Sequence, residues 1–422
     1  MQVAIIGNGV AGVTTARYVA ERDPAIEITI YSREPYPYYP RPRLIDFVAG
    51  DVSLDGMPQY DGAWYARRGI ETCLDCEVTA IDPAGHRLTL STGEQHTYDK
   101  LVLATGASSY IPPIVGIDTP GVCALRTLGD AVRLSQDAHA CDRIVILGGG
   151  LLGLDSAVSL THYDVDITVV EALPRLLPRQ LDREGAELLQ HLIEARGIRI
   201  ITGDLCLEIL GEGRVEGIRL KSGISLEACL LLISAGVRSN IALAAKAGLA
   251  CNRGIVVNDR MQTTDPAIYA VGDCAEFEGR VWGIIPAALA QARVAGSQVA
   301  GATDVLYADI VPSTTLKVSD IDLTSLGEVN PEGDGYQEYR FLDEPHGIYR
   351  KVVVRDGKVV GAILLGDRTD LQAVNRLVSQ GIDVAAVAEQ MLTRDFDLAG
   401  WVKAQGLTAP RHPAPGTRVT GQ

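Results

Sequence analysis

The chain has 422 residues and a formal net charge of −15 at pH 7, with 47% hydrophobic and 22% charged residues. This composition is typical of a globular protein, and the length predicts two or three domains. The negative charge argues against partners such as nucleic acid or an anionic membrane, because phosphates would be repelled. No transmembrane helix, signal peptide or metal-ligand spacing is apparent.

A first glycine-rich turn follows a predicted buried strand at residues 3–6 and opens a predicted helix. In such a turn Gly7 permits the sharp bend, Gly9 lets a pyrophosphate approach the backbone and Gly12 lets the helix pack on the strand. Glu34, 22 residues after Gly12, follows the next strand and is the candidate ribose-binding acid. The dinucleotide-binding residues predicted here are Gly7, Gly9, Val10, Ala11, Gly12 and Glu34.

A second copy of this pattern begins 141 residues later, after a predicted strand at 143–147. Glu171 ends the following strand, and a carboxylate there accepts hydrogen bonds from ribose hydroxyls and repels a 2′-phosphate. This favours NADH over NADPH, although Arg175 could soften the preference. The residues predicted to bind this second dinucleotide are Gly148, Gly150, Leu151, Leu152, Gly153, Glu171 and Gly236.

Two later segments indicate that the first dinucleotide is a flavin. Ala104-Thr105-Gly106 is a small-residue turn after a predicted strand, and Gly272-Asp273 ends another predicted strand. An acid at the carboxyl end of a strand can reach a polyol such as the ribityl chain of FAD. A chain that holds two redox dinucleotides is expected to pass electrons between them.

With these motifs, the chain resembles the FAD-dependent pyridine nucleotide–disulfide oxidoreductase superfamily over almost its whole length. The resemblance implies an α/β fold with two Rossmann-like, glutathione-reductase-like domains and a C-terminal α+β domain. It also implies that Asp273 bonds the flavin ribityl chain. Trp282 should approach the flavin, and the helix starting at Pro286 and Ala287 should point its amides at the pyrimidine end.

The domain boundaries expected from this resemblance divide the chain into four parts. They are a discontinuous FAD-binding domain at 1–110 and 235–306, an NAD(H)-binding domain at 111–234, a C-terminal interface domain at 307–400, and a tail at 401–422. In the C-terminal domain, alternating runs at 349–354 and 359–364 predict a hairpin through an Asp-Gly turn. Helices are expected at 370–380 and 383–392.

The stretch after the first nucleotide-binding unit lacks the reactive cysteine of the family's disulfide reductases and carries Arg41-Pro42 instead. An aromatic residue, one spacer and Arg-Pro resembles NADH:rubredoxin reductases and the flavin domain of assimilatory nitrite reductases. The resemblance implies that Arg41 pairs with the FAD pyrophosphate, with Pro42 beside it, because a guanidinium fork suits two phosphate oxygens.

One departure from that subgroup concerns the flavin's surroundings. Many relatives pair a lysine with a glutamate there, whereas the matching positions here hold Asp46 and Asp155. Arg43 or Lys317 could replace the lysine. We therefore assign no catalytic side chain. Asp155, Asp46 and Lys317 are candidates for positions near the flavin, and hydride transfer can depend on stacking geometry alone.

The eight cysteines are spread along the chain without a metal pattern, which is typical of free thiols in a reducing cytoplasm. Cys73 and Cys76 form the only CxxC, and we expect them to be spectator thiols, with redox activity as the alternative.

The function predicted is an FAD-dependent NADH oxidoreductase that passes electrons to a separate acceptor without a catalytic disulfide. The expected acceptor is rubredoxin or another iron–sulfur or siroheme protein, and the enzyme is expected to be a cytoplasmic monomer or homodimer. Two alternatives remain open: an NADH oxidase that uses oxygen, and a flavoprotein that senses NADH and binds a partner. Turnover distinguishes the electron-transfer enzyme from the sensor.

Overall fold

The computed structural model describes residues 1–308, 313–318, 321–405 and 417–419, without the side chains of 313–318 and 417–419. The chain forms two compact units. Unit 1 comprises Met1–Ser109, Val237–Ile310 and Arg411–Gln422, and unit 2 comprises Tyr110–Gly236 and Val311–Pro410. None of the described helices is long and apolar enough to cross a membrane.

Unit 1 is built around a parallel five-stranded sheet that places the first glycine turn at the carboxyl end of its central strand. In spatial order its strands are Ile268–Ala270, Lys100–Leu103, Gln2–Ile6, Glu27–Tyr31 and Ile70–Cys73. The helices are Val10–Arg22, Arg43–Val48, Gly62–Ala66, Ala242–Lys246 and Ile285–Val299. The sheet core consists of apolar strand residues such as Ile5, Ile28 and Leu101, which are fully buried because helices cover parallel sheets.

Smaller sheets complete unit 1. An antiparallel sheet contains Val78–Asp82, Arg87–Leu90 and Gln95–Thr97. Three two-stranded sheets pair Ala107–Ser109 with Val237–Ser239, Ile255–Val257 with Ala275–Phe277, and Val305–Tyr307 with Thr417–Val419. The pairing of residues 107–109 with 237–239 joins the two long chain segments of this unit.

Unit 2 repeats the parallel architecture around the second glycine turn. Its parallel strands are, in spatial order, Arg199–Thr202, Asp166–Glu171, Arg143–Leu147, Leu230–Ile233 and Val122–Ala124. An antiparallel sheet contains Cys206–Leu210, Gly217–Leu220 and Ser225–Glu227. The helices of this part are Leu128–Ala138, Leu151–Leu160 and Arg183–Glu194. The central strand of this sheet, Arg143–Leu147, pairs with Asp166–Glu171 so that Arg143 lies opposite Asp166. In unit 1 the central strand, Gln2–Ile6, pairs in the same way with Glu27–Tyr31, with Gln2 opposite Glu27.

The C-terminal part of unit 2 is an antiparallel five-stranded sheet covered by helices. Its strands are, in spatial order, Ser313–Val318, Ile321–Gly327, Lys358–Leu365, Ile348–Arg355 and Tyr336–Asp343. The helices are Leu371–Gln380 and Leu398–Ala404. Four single 3-10 turns lie at Leu54–Gly56, Thr161–Tyr163, Gly272–Cys274 and Glu344–His346 within the described ranges.

Two sequence expectations for the C-terminal part are wrong. The segment 383–392 is a series of turns, because Val387 donates its N–H to the carbonyl of Val384 three residues back. Its apolar side chains are still buried, which explains the helix-like spacing. The expected tail at 401–422 also begins too early, since residues 401–404 belong to a helix that buries Val402. The rest of that segment lies outside the described residues apart from 405 and 417–419.

Candidate functional site

The first glycine turn has a backbone that only glycine permits at two positions. Gly7 has φ +115°, and a Cβ built on it would lie 2.1 Å from the carbonyl oxygen of Ala104. A Cβ on Gly12 would lie 1.9 Å from the carbonyl oxygen of Gly7. Gly9 is different, because a Cβ there would meet no atom of the described residues within 4 Å. The turn is therefore closed on its protein side and open where a pyrophosphate is expected.

Gly272 packs against the start of the helix that follows this turn. It has φ +77°, and a Cβ on it would lie 2.8 Å from the Cβ of Ala11. Its N–H donates to the Gln291 amide oxygen at 2.8 Å. Gln291 belongs to the helix Ile285–Val299, so this bond joins the Gly272-Asp273 turn to that helix. The half-buried Asp273 thus lies beside the first glycine turn.

Pro286 is the second residue of the helix Ile285–Val299 and lies in its first turn. The N-cap residue, Ile284, makes no side-chain capping bond among the described residues. The N–H groups of such an end carry partial positive charge. Ala287 is buried and Trp282 is half-buried, with the Arg280 guanidinium 5.9 Å from the Trp282 ring centre.

The Ala104-Thr105-Gly106 turn is tied to the second chain segment of unit 1. The hydroxyl of Thr105 donates to the carbonyl of Asn240 at 2.8 Å, and the Asn240 side-chain amide returns a bond to the Thr105 carbonyl at 2.8 Å. The Asn240 N–H also donates to the Gly106 carbonyl. These three bonds make Asn240 a fixing point for the turn, and sequence reasoning missed it.

Glu34 and Arg41 lie next to each other. The Arg41 Nη2 is 2.8 Å from one carboxylate oxygen of Glu34, and the Tyr39 hydroxyl donates to the other at 2.5 Å. Burial lowers the pKa of Arg41, but the neighbouring Tyr39 and Glu34 outweigh it and leave that pKa raised. The structure thus brings a ribose-acid candidate and a pyrophosphate candidate into one ion pair.

One side chain of the first turn points to a missing partner. The Oδ1 of Asn8 accepts a hydrogen bond from the Tyr65 hydroxyl at 3.1 Å, but its buried Nδ2 makes no hydrogen bond to any of the described residues. A buried amide donor without a partner is costly and calls for a ligand or water. Asn8 lies between Gly7 and Gly9, so its unpartnered amide belongs to the first turn. This turn therefore fits a polar ligand such as FAD.

The second glycine turn has nearly the same backbone. Gly148 has φ +121°, and its Cβ would lie 2.2 Å from the carbonyl oxygen of Ser234. A Cβ on Gly153 would lie 2.0 Å from the Gly148 oxygen, whereas one on Gly150 would meet nothing within 4 Å. This turn is therefore also open at the start of its helix, Leu151–Leu160, where a second pyrophosphate is expected.

Glu171 is buried and already holds this turn together. One carboxylate oxygen accepts the Gly149 N–H at 2.7 Å, and the other accepts the Leu173 N–H at 2.8 Å. A carboxylate has about four lone-pair sites, so each oxygen can accept a further bond from a ribose hydroxyl. Arg175, which sequence reasoning considered near a 2′-phosphate, donates instead to the carbonyls of Pro178 and Leu181.

The remaining candidates belong to different elements of the two units. Asp46 is exposed on the short helix Arg43–Val48 of unit 1, whereas Asp155 is half-buried on the helix Leu151–Leu160 of unit 2. Lys317 belongs to the strand Ser313–Val318, and its side chain lies outside the described residues. Three further candidates on unit 2 differ in exposure, since Leu151 is half-buried whereas Leu152 and Gly236 are exposed.

The expectation of free thiols is wrong for four of the eight cysteines. Cys73 bonds to Cys76 in unit 1, and Cys141 bonds to Cys229 in unit 2. The sequence could not show the second pair, because strand pairing brings together residues 88 apart. The free cysteines are Cys123, Cys206, Cys251 and Cys274.

The Cys73–Cys76 turn contacts the segment that carries Glu34. The Asp75 N–H donates to the Glu34 carbonyl at 3.2 Å, and the Cys76 N–H donates to the Ser32 carbonyl at 2.7 Å. The disulfide therefore supports the backbone from which the Glu34 side chain extends, although it lies on a different strand.

Comparisons with known proteins agree with this geometry. Residues 1–298 match the family described as pyridine nucleotide-disulphide oxidoreductase, and residues 312–382 match the rubredoxin NAD⁺ reductase C-terminal domain. The chain belongs to the pyridine nucleotide-disulphide oxidoreductase family. The predicted family and the predicted α/β fold class are confirmed.

Three relatives illustrate the range of this family. A nitrite reductase [NAD(P)H] of Bacillus subtilis is 35% identical, over 92% of this chain and 48% of its own. An NADH oxidase of Methanocaldococcus jannaschii is 30% identical over 94% of each chain. The crystal structure of NADH:rubredoxin oxidoreductase from Clostridium acetobutylicum is 27% identical with a TM-score of 0.79, covering 96% of this chain and 99% of that one. The chain thus spans about half the length of the nitrite reductase it matches.

Proposed function

We propose that this chain is an FAD-dependent NADH oxidoreductase that passes electrons to a separate iron–sulfur acceptor without a catalytic disulfide. The observation that carries the proposal is the pair of glycine turns, both closed on the protein side and open at a helix start. Within the described residues, the two units each present one such turn, so one chain can hold two dinucleotides.

FAD is proposed to bind unit 1. The open Gly9, the first helical amides at Val10 and Ala11, and the unpartnered amide of Asn8 would face its pyrophosphate. Asp273 would accept hydrogen bonds from ribityl hydroxyls. Arg41 would exchange part of its bond with Glu34 for phosphate oxygens, since a guanidinium has five donors.

The uncapped helix end at Pro286 and Ala287 would stabilise negative charge at the pyrimidine end of the flavin, with Trp282 near the same region. Bound FAD supplies the redox chemistry, because a flavin can take two electrons together and release them singly. The protein supplies position and dipoles, and no side chain is assigned as nucleophile or general base.

NADH is proposed to bind unit 2. Gly150 leaves room for its pyrophosphate at the start of the helix Leu151–Leu160, and Glu171 would accept bonds from the adenosine ribose. The buried carboxylate would repel a 2′-phosphate, which favours NADH over NADPH. Arg175 does not oppose this preference, since its guanidinium is bonded to loop carbonyls.

The proposed domains are an FAD-binding domain at 1–110 and 235–306, an NADH-binding domain at 111–234, and a C-terminal interface domain from residue 307 that includes the helix Leu398–Ala404. The proposed acceptor is rubredoxin or a related iron–sulfur protein, supported by the match of residues 312–382 to the rubredoxin reductase C-terminal domain. A siroheme partner is the alternative acceptor, because the nitrite reductase relative extends well beyond this chain. We further propose a monomer or homodimer in the cytoplasm.

An NADH oxidase is the second candidate function. It is favoured by the relative of that name, which matches 94% of each chain. Against it, residues 36–44 contain no cysteine that could handle peroxide.

Anaerobic reduction of the purified flavoprotein tests the proposal. NADH should bleach the flavin absorbance near 450 nm, and an added rubredoxin should restore it over many turnovers. Restoration by oxygen at a similar rate would favour the oxidase, and slow turnover with a persistent reduced flavin would favour the NADH sensor. Absence of bleaching with both NADH and NADPH would contradict the proposed function.

A further inference from the structure

The loop at residues 172–181, which follows Glu171, packs directly against the second glycine turn. The Leu177 N–H donates to the Gly149 carbonyl at 3.4 Å. A Cβ on Gly149 would lie 2.5 Å from the Cδ2 of the fully buried Leu176. Leu177 is itself buried with φ +46°, a conformation that a branched side chain rarely adopts unless its surroundings impose it.

The other side of this loop is held by the C-terminal part of the same unit. The Nδ2 of Asn330 donates to the carbonyls of Pro178 and Leu181, at 3.3 and 3.2 Å. Arg175 donates to the same two carbonyls from within the loop, at 3.2 and 3.4 Å. The two side chains therefore share both acceptors, and Asn330 adds a tether that the loop cannot provide itself.

The end of the loop is fixed by a buried polar cluster. Asp182 caps the helix Arg183–Glu194 by accepting the Gly185 N–H. Its other carboxylate oxygen accepts the Tyr349 hydroxyl at 2.6 Å and lies 3.1 Å from the Lys351 ammonium. Tyr349 and Lys351 lie on the strand Ile348–Arg355 and are almost completely buried. A buried lysine must be paired, so this cluster specifies one arrangement of the loop end.

We propose that Asn330, Tyr349 and Lys351 are positioning residues for NADH, acting through the 172–181 loop. They would hold Leu177 in its left-handed conformation, and thereby the Gly149 backbone whose N–H bonds to Glu171. The inference rests on the proposed binding of NADH at the second turn. It adds that the C-terminal sheet, which carries no dinucleotide motif, sets the affinity of that site.

Asn330→Ala is the first test, because Asn330 is exposed and its loss leaves the core intact. We expect the Kd for NADH, measured by calorimetry with NAD⁺ as a second probe, to rise about tenfold through loss of two hydrogen bonds. The bound FAD content and the rate of flavin reduction at saturating NADH should stay within about twofold of wild type. Tyr349→Phe should raise the same Kd about fivefold.

A readout without any dinucleotide separates positioning from a general defect. Trypsin cleavage after the exposed Arg179 should be several-fold faster in Asn330→Ala than in wild type, with an unchanged melting temperature. Asn375→Ala is the matched control, since Asn375 is an exposed amide on the helix Leu371–Gln380 of the same part. It should change neither the Kd nor the cleavage rate.

The outcomes distinguish this inference from the proposed function. Wild type that binds NADH, together with Asn330→Ala and Tyr349→Phe variants of unchanged Kd and cleavage rate, would overturn the positioning role alone. Wild type that binds neither NADH nor NADPH would overturn the proposed function, whatever the loop does. An equal loss of FAD and NADH binding would also overturn the inference, because the loop contacts the second turn and FAD is proposed to bind unit 1.

Discussion

In the first glycine turn a Cβ on the third glycine would lie 1.9 Å from the oxygen of the first, and in the second turn the distance is 2.0 Å. The acids that follow are held very differently. Glu34 pairs with Arg41 and Tyr39, whereas Glu171 is buried and accepts the backbone N–H groups of Gly149, in its own turn, and of Leu173. The backbone of a glycine turn is thus fixed by the steric need for glycine, while the role of its acid depends on which side-chain and backbone groups surround it.

The largest effect is expected from filling the two turns in parallel. Gly12→Ala should abolish FAD binding, and Gly153→Ala should leave FAD bound but abolish NADH binding, because each new Cβ overlaps a carbonyl oxygen. The overlap should also lower the free energy of unfolding by about 1–3 kcal/mol. The flavin-to-protein ratio and an NADH titration measure both. Gly62→Ala is the control, since its Cβ meets nothing within 4 Å; Gly12→Ala with full flavin content would contradict the assignment.

A second comparison concerns the two disulfides. Removing Cys141–Cys229 by double serine substitution should lower the free energy of unfolding by about 4.5 kcal/mol, and removing Cys73–Cys76 by about 2 kcal/mol. The reason is the separation along the chain, 88 residues against 3. Denaturant unfolding without reductant measures the difference. Eight reactive thiols in the denatured, unreduced protein would show that neither bond forms.

Substitutions of the two acids, Glu171 and Glu34, should affect the binding of different cofactors. Glu171→Gln should raise the Kd for NADH about tenfold, because an amide cannot accept from both backbone N–H groups and the ribose. Discrimination against NADPH should weaken at the same time. Glu34→Gln should leave NADH binding unchanged and lower FAD retention, because it removes the charge that pairs with Arg41. A Glu171→Gln variant with wild-type affinity for NADH would show that the carboxylate serves only the turn.

The smallest effect is expected from substitution of Asp182, which should change how the stability of the protein depends on acidic pH. Burial raises the pKa of Asp182, but bonds from Tyr349 and Gly185 and the charge of Lys351 outweigh it, so the pKa lies below its ordinary 3.8. Its contribution to stability is fully present above that value and is lost as the pH falls through the lower folded pKa.

The urea midpoint is the measurement that checks this acid dependence. Asp182→Asn should therefore destabilise the protein at about pH 6 and progressively less below about pH 4. Asp55→Asn, at an exposed aspartate in the Leu54–Gly56 turn, is the control and should show no such convergence with wild type. A constant difference across this range would contradict the role of the charged carboxylate.

Sequence reasoning succeeded where the signal is local. The strand Arg143–Leu147, the helix Leu371–Gln380 to within a residue, and the hairpin of Ile348–Arg355 with Lys358–Leu365 follow from apolar period and turn residues. It failed at residues 383–392, because buried apolar residues at helical spacing can also be placed by consecutive turns. It also missed Asn8 and Asn240, whose roles depend on partners distant in sequence.

The amino-acid sequence by itself determined the two glycine turns, the parallel sheets and the family, because glycine at Gly7, Gly12, Gly148 and Gly153 meets a steric need that no other residue can meet. Only the tertiary structure decided which groups bond to the acids Glu34 and Glu171 and which cysteines pair. It alone also shows that Asn330 and Tyr349 hold the loop beside the second turn. These contacts join strands and loops separated by up to about 170 residues. Their partners are chosen by sheet pairing and burial, which no local pattern records.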